Sequence, residues 1–201
     1  MLRLTGGEFK GRELRTAEAK GCRPATGRVR ESLFSILGSM GVDWPGCRVL
    51  DLFAGTGSVG FEAVSRGAAE VVFVEKNPRL ASLLRENLAR LGVSPQKGRV
   101  VAADVLAFLS KKGHPPFDVV FADPPYGQNL LRPALERLLA GGVLARDGLA
   151  VAEVEAGLDM DRELDFPGLT CLTSRLFGQT RIVIWQAQTD AWPSTPEPSI
   201  P

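Results

Sequence analysis

The chain has 201 residues, 44% hydrophobic and 23% charged, enough to bury the core of one domain with a small extension. No apolar run approaches the length of a membrane span, and the opening Met1-Leu-Arg-Leu-Thr-Gly-Gly7 lacks the apolar centre of a signal peptide. The formal net charge is +1, but residues 1–30 carry eight Lys and Arg against three Glu, a net +5 that leaves −4 for the rest. A basic end of this kind suits contact with a polyanion, or forms a solvated face.

In chain order, Leu2 to Leu14 reads as two short alternating strands joined by a Gly-containing turn. Between Arg28 and Met40, Val29, Leu33, Ile36, Leu37 and Met40 fall on one helical stripe, with Arg28, Arg30, Glu31 and Ser35 facing elsewhere. From residue 48 strands and helices alternate. Arg48–Phe53 is a strand running into a Gly-rich turn, Gly57–Arg66 a helix and Glu70–Glu75 a second strand. Pro78–Leu91 is a helix with a leucine face, Val100–Asp104 a strand and Val105–Ser110 a short helix. Asp118–Ala122 is a strand, Leu130–Ala140 a helix and Gly148–Glu155 a fifth strand. Thr170–Thr173 and Leu176–Trp185 read as a hairpin that closes the sheet edge. The order implies an α/β fold, a doubly wound, mostly parallel seven-stranded sheet with ligands at the carboxyl ends of its strands. Residues 1–41 are an N-terminal hairpin and helix extension, 42–187 the main domain, and 188–201 a Pro-rich tail expected to be disordered.

The three cysteines, Cys22, Cys47 and Cys171, are odd in number and widely spaced, so they read as packing residues and not as a disulfide framework or metal knuckle. The single histidine, His114, lies in the loop-like Lys111-Lys-Gly-His-Pro-Pro116 and reads as a solvated side chain. No metal is expected, and the expected compartment is the cytosol.

The first strand leads into Asp51-Leu-Phe53-Ala54-Gly55-Thr56-Gly57-Ser-Val-Gly60, whose glycines match G-x-G-x-x-G, and the second strand ends in Glu75-Lys76. A dinucleotide would bring its pyrophosphate close to Asp51. S-adenosylmethionine has no phosphate, and it offers an ammonium for Asp51 and a ribose for Glu75. Asp104 can accept from an adenine amino group, with the Val105 N–H beside it. Each acid could instead be an ordinary polar strand end. Their recurrence at successive strand ends, together with the glycines, favours S-adenosylmethionine.

The fourth strand of the series runs into Asp123-Pro124-Pro125-Tyr126. Two prolines fix φ and remove backbone donors, leaving a carboxylate and bare carbonyl oxygens beside an aromatic ring. Such a turn can accept hydrogens from a planar amine while the ring stacks on a flipped base. It can also be a plain strand-ending turn.

Asp51-Leu-Phe-Ala-Gly-Thr-Gly57 resembles the first motif of class I methyltransferases, and Asp123-Pro-Pro-Tyr126 resembles that of their amino-methylating members. With Leu4–Leu14 and Arg23-Pro-Ala-Thr-Gly-Arg-Val-Arg-Glu31, the chain is similar to the bacterial 16S ribosomal RNA guanine-N2 methyltransferase family from about Leu2 to Trp185. The resemblance implies methyl transfer from S-adenosylmethionine to the exocyclic amine of one guanine, in the small ribosomal subunit or an assembly intermediate. It implies a monomer without metal. Asp123 and the Pro124 carbonyl would take the amine hydrogens, Pro125 would stiffen the turn, and Tyr126 would stack on the base. Arg12, Arg23, Arg28 and Arg30 are the expected phosphate contacts. Thr26 either touches cofactor or substrate or caps the helix. Gly27 stands where the family pattern has an acid, so no role is carried over to it. A DNA or other RNA amino-methyltransferase using the same Asp-Pro-Pro-Tyr turn and a non-enzymatic ribosome-binding factor are the alternatives; the last leaves the acid set without purpose.

Overall fold

The computed structural model describes residues 2–16, 27–158 and 164–188. Arg23, Thr26 and Cys22, and the tail beyond residue 188, lie outside the described residues.

Strand β1 (Leu2–Arg3) pairs antiparallel with β2 (Glu13–Leu14), and helix α1 (Gly27–Ser39) follows. The repeating part runs β3 (Arg48–Leu52), α2 (Gly60–Ser65), β4 (Glu70–Glu75), α3 (Pro78–Arg90), β5 (Gly98–Ala102), α4 (Val105–Leu109), β6 (Phe117–Ala122), α5 (Leu131–Ala140) and β7 (Leu144–Glu155). The hairpin β8 (Leu169–Phe177) and β9 (Thr180–Ala187) completes a seven-stranded sheet of order β5-β4-β3-β6-β7-β9-β8. Strands β5 to β7 are parallel across this order, and β9 enters antiparallel between β7 and β8. The sequence order reverses between β3 and β6, the crevice where open α/β sheets place their ligands.

The central strands are apolar on both faces because both are covered. Leu50, Leu52, Val72, Val74 and Val120 face α4, α5 and Trp185. Val49, Val71, Phe73, Val119 and Phe121 face the other core, with α2, α3, α1 and the N-terminal hairpin. The extension is thus not an appendage: Leu2, Leu4, Leu14, Leu33, Phe34 and Leu37 are all buried in that second core. Asn77 caps α3 by accepting from the Arg79 and Leu80 N–H groups at 2.9 and 3.3 Å, with Pro78 in the first turn; such a cap is worth about 1 kcal/mol.

Several boundaries differ from the sequence reading, β5 and β8 among them. The second helix starts at Gly60 and not at Gly57, because Gly57 has φ +75° and belongs to the turn. Leu176–Trp185 is not one strand: Gly178, at φ +65°, makes a two-residue turn between the paired Phe177 and Thr180. β7 begins four residues early, and a register shift between Phe117 and Val119 absorbs the extra length. Two side chains also differ. His114 folds back onto α4, its Nε2 2.9 Å from the Phe108 carbonyl oxygen, and Cys171 is exposed on the edge strand while Cys47 is buried. No helix among the described residues is long and apolar enough to cross a membrane.

Candidate active site

Side chains alternate across a strand, so the register fixes which acids share a face. Asp51 lies on the Val49 side of β3 and Glu75 on the Phe73 side of β4. The same step of two puts Asp123 on the Phe121 side and Glu153 on the Val151 side. All four therefore project from the carboxyl half of the sheet towards the face that carries α1. Asp51, Phe53, Ala54, Asp123 and Glu153 line one cleft there, with Leu33 of α1 on its wall and about 30 Å³ of free space.

The Gly-rich turn is held from within. The Glu75 carboxylate accepts from the Gly55 N–H at 2.8 Å and the Asn77 N–H at 2.7 Å, and Asp51 Oδ2 accepts from the Gly60 N–H at 3.1 Å. Phe53 adopts φ +57° and Gly55 φ +54°, so the loop doubles back in the left-handed region where a side chain is costly. At Gly60 a Cβ would stand 2.2 Å from the Phe73 ring and 2.7 Å from Asp51 Oδ2, so α2 can approach β3 this closely only without a side chain. Thr56 is buried, and Lys76 is exposed beyond Glu75.

Among the described residues, no salt bridge reaches Asp51, Glu75, Asp104, Asp123 or Glu153. Burial pushes Asp51 well above the ordinary carboxylate range, against the pull of the Gly60 N–H, and the Asp123 and Glu75 charges push it further. Burial, then the Glu153 charge, raises Asp123 to about 8. Acids crowded in this way with no cation among them fit a ligand that brings positive charge. Both Glu75 oxygens already accept a backbone N–H, yet a carboxylate has room for further donors such as ribose hydroxyls. Asp104 caps α4, its Oδ1 accepting from the Ala107 N–H at 3.0 Å, and Val105 follows it, buried, in the first turn. No cluster of acids, His or Cys arranged to hold a metal ion occurs among the described residues.

Pro124 is buried after β6, Pro125 is half-buried and the Tyr126 ring is 49% exposed. The Tyr126 hydroxyl lies 3.2 Å from Thr180 Oγ1 at the start of β9, so the last hairpin fixes the ring beside the cleft. Neither Thr180 nor Glu153 was singled out from sequence. Their signal lies in the antiparallel β7–β9 register, which faces Glu155 to Thr180 and Glu153 to Ile182.

The arginines divide. Arg12 and Arg28 are exposed. Arg30 is 3% exposed, and the expectation of a phosphate contact there is corrected: its Nη2 donates to the Arg3 carbonyl oxygen at 2.9 Å and its Nε lies 3.5 Å from Glu62 Oε1. Glu62, fully buried in α2, also pairs with Arg66 and accepts from the Thr5 N–H and hydroxyl at 2.8 and 3.0 Å. The Gly6-Gly7 pair lets the hairpin settle on the end of α2, where a Cβ on Gly7 would come within 1.8 Å of the Ser65 carbonyl oxygen. The N-terminal motif is thereby tied to the helix that carries the last glycine of the Gly-rich motif, Gly60.

A doubly wound sheet with a Gly-rich first turn, an acid at the end of the second strand and Asp-Pro-Pro-Tyr at the switch point defines a methyltransferase fold. Comparison with known proteins narrows the class. A family model described as conserved hypothetical protein 95 matches residues 2–186. The ribosomal RNA small subunit methyltransferase D of Escherichia coli K12 is 40% identical over 159 residues, 78% of this chain and 77% of its own. Its Haemophilus influenzae counterpart is 38% identical over 155 residues, 77% and 79% of the two chains. A solved Escherichia coli structure, provisionally assigned as a methyltransferase, superposes with a TM-score of 0.79 at 34% identity, covering 93% of this chain and 98% of that one. The chain belongs to the family of bacterial small-subunit ribosomal RNA methyltransferases typified by methyltransferase D.

Proposed function

We propose that the protein transfers the methyl group of S-adenosylmethionine to the exocyclic N2 amine of a guanine in 16S ribosomal RNA. The carrying observation is Asp123: a carboxyl group raised to about 8, at the switch point, on the same face as Asp51 and beside an exposed Tyr126 ring. The relatives' names point to small-subunit ribosomal RNA as the acceptor, and we take that RNA to be in an assembly intermediate or a complete subunit.

The bound cofactor would supply an activated methyl group on a sulfonium. Asp51 would hold its ammonium, Glu75 its ribose, and Asp104 with the Val105 N–H its adenine, along the turn from Phe53 to Gly57 with Lys76 at its rim. A guanine amine is a poor nucleophile because its lone pair is delocalised into the ring. Asp123 and the Pro124 carbonyl oxygen, by accepting its two hydrogens, would favour the pyramidal geometry in which the lone pair points at the methyl carbon. Pro125 stiffens that turn. The amine must lose one proton as it takes up the methyl group. Asp123, raised to about 8 in the empty cleft, can receive that proton in its ionised form, which the positive charge of the bound cofactor would favour. Tyr126 would stack on the flipped base, worth roughly 1–3 kcal/mol. Exposed Arg12 and Arg28 are the phosphate contacts proposed among the described residues.

The test is Asp123→Ala. Cofactor binding should persist within a few-fold while methyl transfer to unmodified small subunits is lost. Retained transfer would refute the assignment of Asp123.

A further inference from the structure

Glu153 has no part in methyl transfer as derived above, yet it lines the same cleft as Asp51 and Asp123 and is partly buried there. The register pairs Ala122 of β6 with Ala152 of β7, so Asp123 and Glu153 are the next residues on neighbouring parallel strands. Neighbouring strands run about 5 Å apart, and both side chains emerge on the face towards Leu33. Burial raises the Glu153 carboxyl, offset by a hydrogen bond from Thr180, the residue that also meets the Tyr126 hydroxyl. A carboxylate held in a mid-sheet strand beside another carboxylate destabilises the fold, and an apolar residue there would not. Its position therefore calls for a ligand that presents hydrogen-bond donors to both acids.

Base edges differ in what flanks the exocyclic amine. The N6 amine of adenine and the N4 amine of cytosine each lie beside an unprotonated ring nitrogen, an acceptor that two carboxylates repel. The N2 amine of guanine lies beside N1–H, a donor. We propose that Glu153 is a specificity-determining residue whose carboxylate accepts the N1–H of the target guanine while Asp123 accepts from its N2 amine. The two acids stand side by side on one face, as the two donors stand side by side on that edge. This rests on the proposed reaction and adds to it the group that separates guanine from the other amino bases. Thr180 holds Glu153 and Tyr126 in one arrangement, so edge and ring face are read together.

The experiment compares two bases at the position that the wild-type enzyme methylates, in small subunits rebuilt from ligated RNA: guanine, and 2-aminopurine, which keeps the N2 amine but has no hydrogen on N1. The wild-type enzyme should favour guanine by roughly 10–100-fold in kcat/KM, the loss typical of one hydrogen bond to a charged group. Glu153→Gln should lose about 10-fold on guanine and little or nothing on 2-aminopurine, because the glutamine amide can donate to the bare N1. The preference then shrinks about 10-fold or more. Loss of the O6 atom acts on both enzymes and cancels from the comparison. Equal use of the two bases by the wild-type enzyme overturns the proposal without any variant. A preference unchanged in Glu153→Gln overturns it too, leaving the reaction intact. Absence of transfer to any guanine overturns both.

Discussion

Replacing Glu62 with alanine tests how the N-terminal motif is built into the enzyme. Glu62 is fully buried and receives four groups: the Thr5 N–H at 2.8 Å, the Thr5 hydroxyl at 3.0 Å, Arg66, and Arg30 with its Nε at 3.5 Å. Arg66 retains some access to water and stacks 4.2 Å from the Phe34 ring centre, but Arg30 is 3% exposed and cannot reach solvent without moving α1. Removing one member of a buried pair costs about 3–5 kcal/mol, a large part of a typical 5–15 kcal/mol stability. At about 2–4 °C per kcal/mol for a chain of this length, Tm should fall by roughly 10–15 °C. The assay is thermal unfolding followed by circular dichroism at 222 nm. A fall below about 3 °C would refute the burial argument. Glu62→Leu combined with Arg30→Met removes both buried charges of the Arg30–Glu62 pair, leaving the more accessible Arg66, and should recover part of the loss.

The Asp123 carboxyl is held near 8, above its ordinary 3.8, so the folded state binds the extra proton between those values. Stability from this group is complete below about pH 4 and is lost as pH rises through about 8. Asp123→Asn should therefore match the wild type at pH 4 and exceed it at pH 8.5. The interval from 3.8 to about 8 sets a ceiling of roughly 6 kcal/mol, reduced to about 2 by solvent at the cleft mouth; urea midpoints at the two pH values check it. Gly60→Ala should lower both Tm and cofactor affinity, the former by about 1–3 kcal/mol equivalent, since its Cβ collides with Phe73 and Asp51. Arg12→Ala and Arg28→Ala should each reduce the salt slope of RNA binding by about 1, measured by filter retention across a salt series.

The βα alternation was legible from Arg48 onward because buried parallel strands read as short apolar runs and α3 shows its leucine face. The acid set was legible for a related reason. Asp51 is a charged residue inside an apolar strand, and Asp123 is locked to two prolines, so each stands out from its background. Arg30 did not. Nothing local separates it from Arg28, two residues earlier in the same basic run; the acid that buries it sits 32 positions away, on α2. Glu153 was hidden for the opposite reason, since an acid near the end of Gly148–Glu155 reads as an ordinary polar strand end. Its neighbourhood with Asp123 depends on the pairing of β6 with β7, which no local pattern encodes. Thr180 falls inside the expected strand Leu176–Trp185, which Gly178 breaks with a turn.

The most direct measurement is to incubate the protein with methyl-labelled S-adenosylmethionine and unmodified small ribosomal subunits, digest the RNA, and identify the labelled nucleoside. Label should appear in N2-methylguanosine at one position of 16S RNA and be lost in Asp123→Ala. Label in methyladenosine or methylcytidine would contradict the reading of the two neighbouring carboxylates, and a failure to bind the cofactor would contradict the account from the Asp51 turn onward.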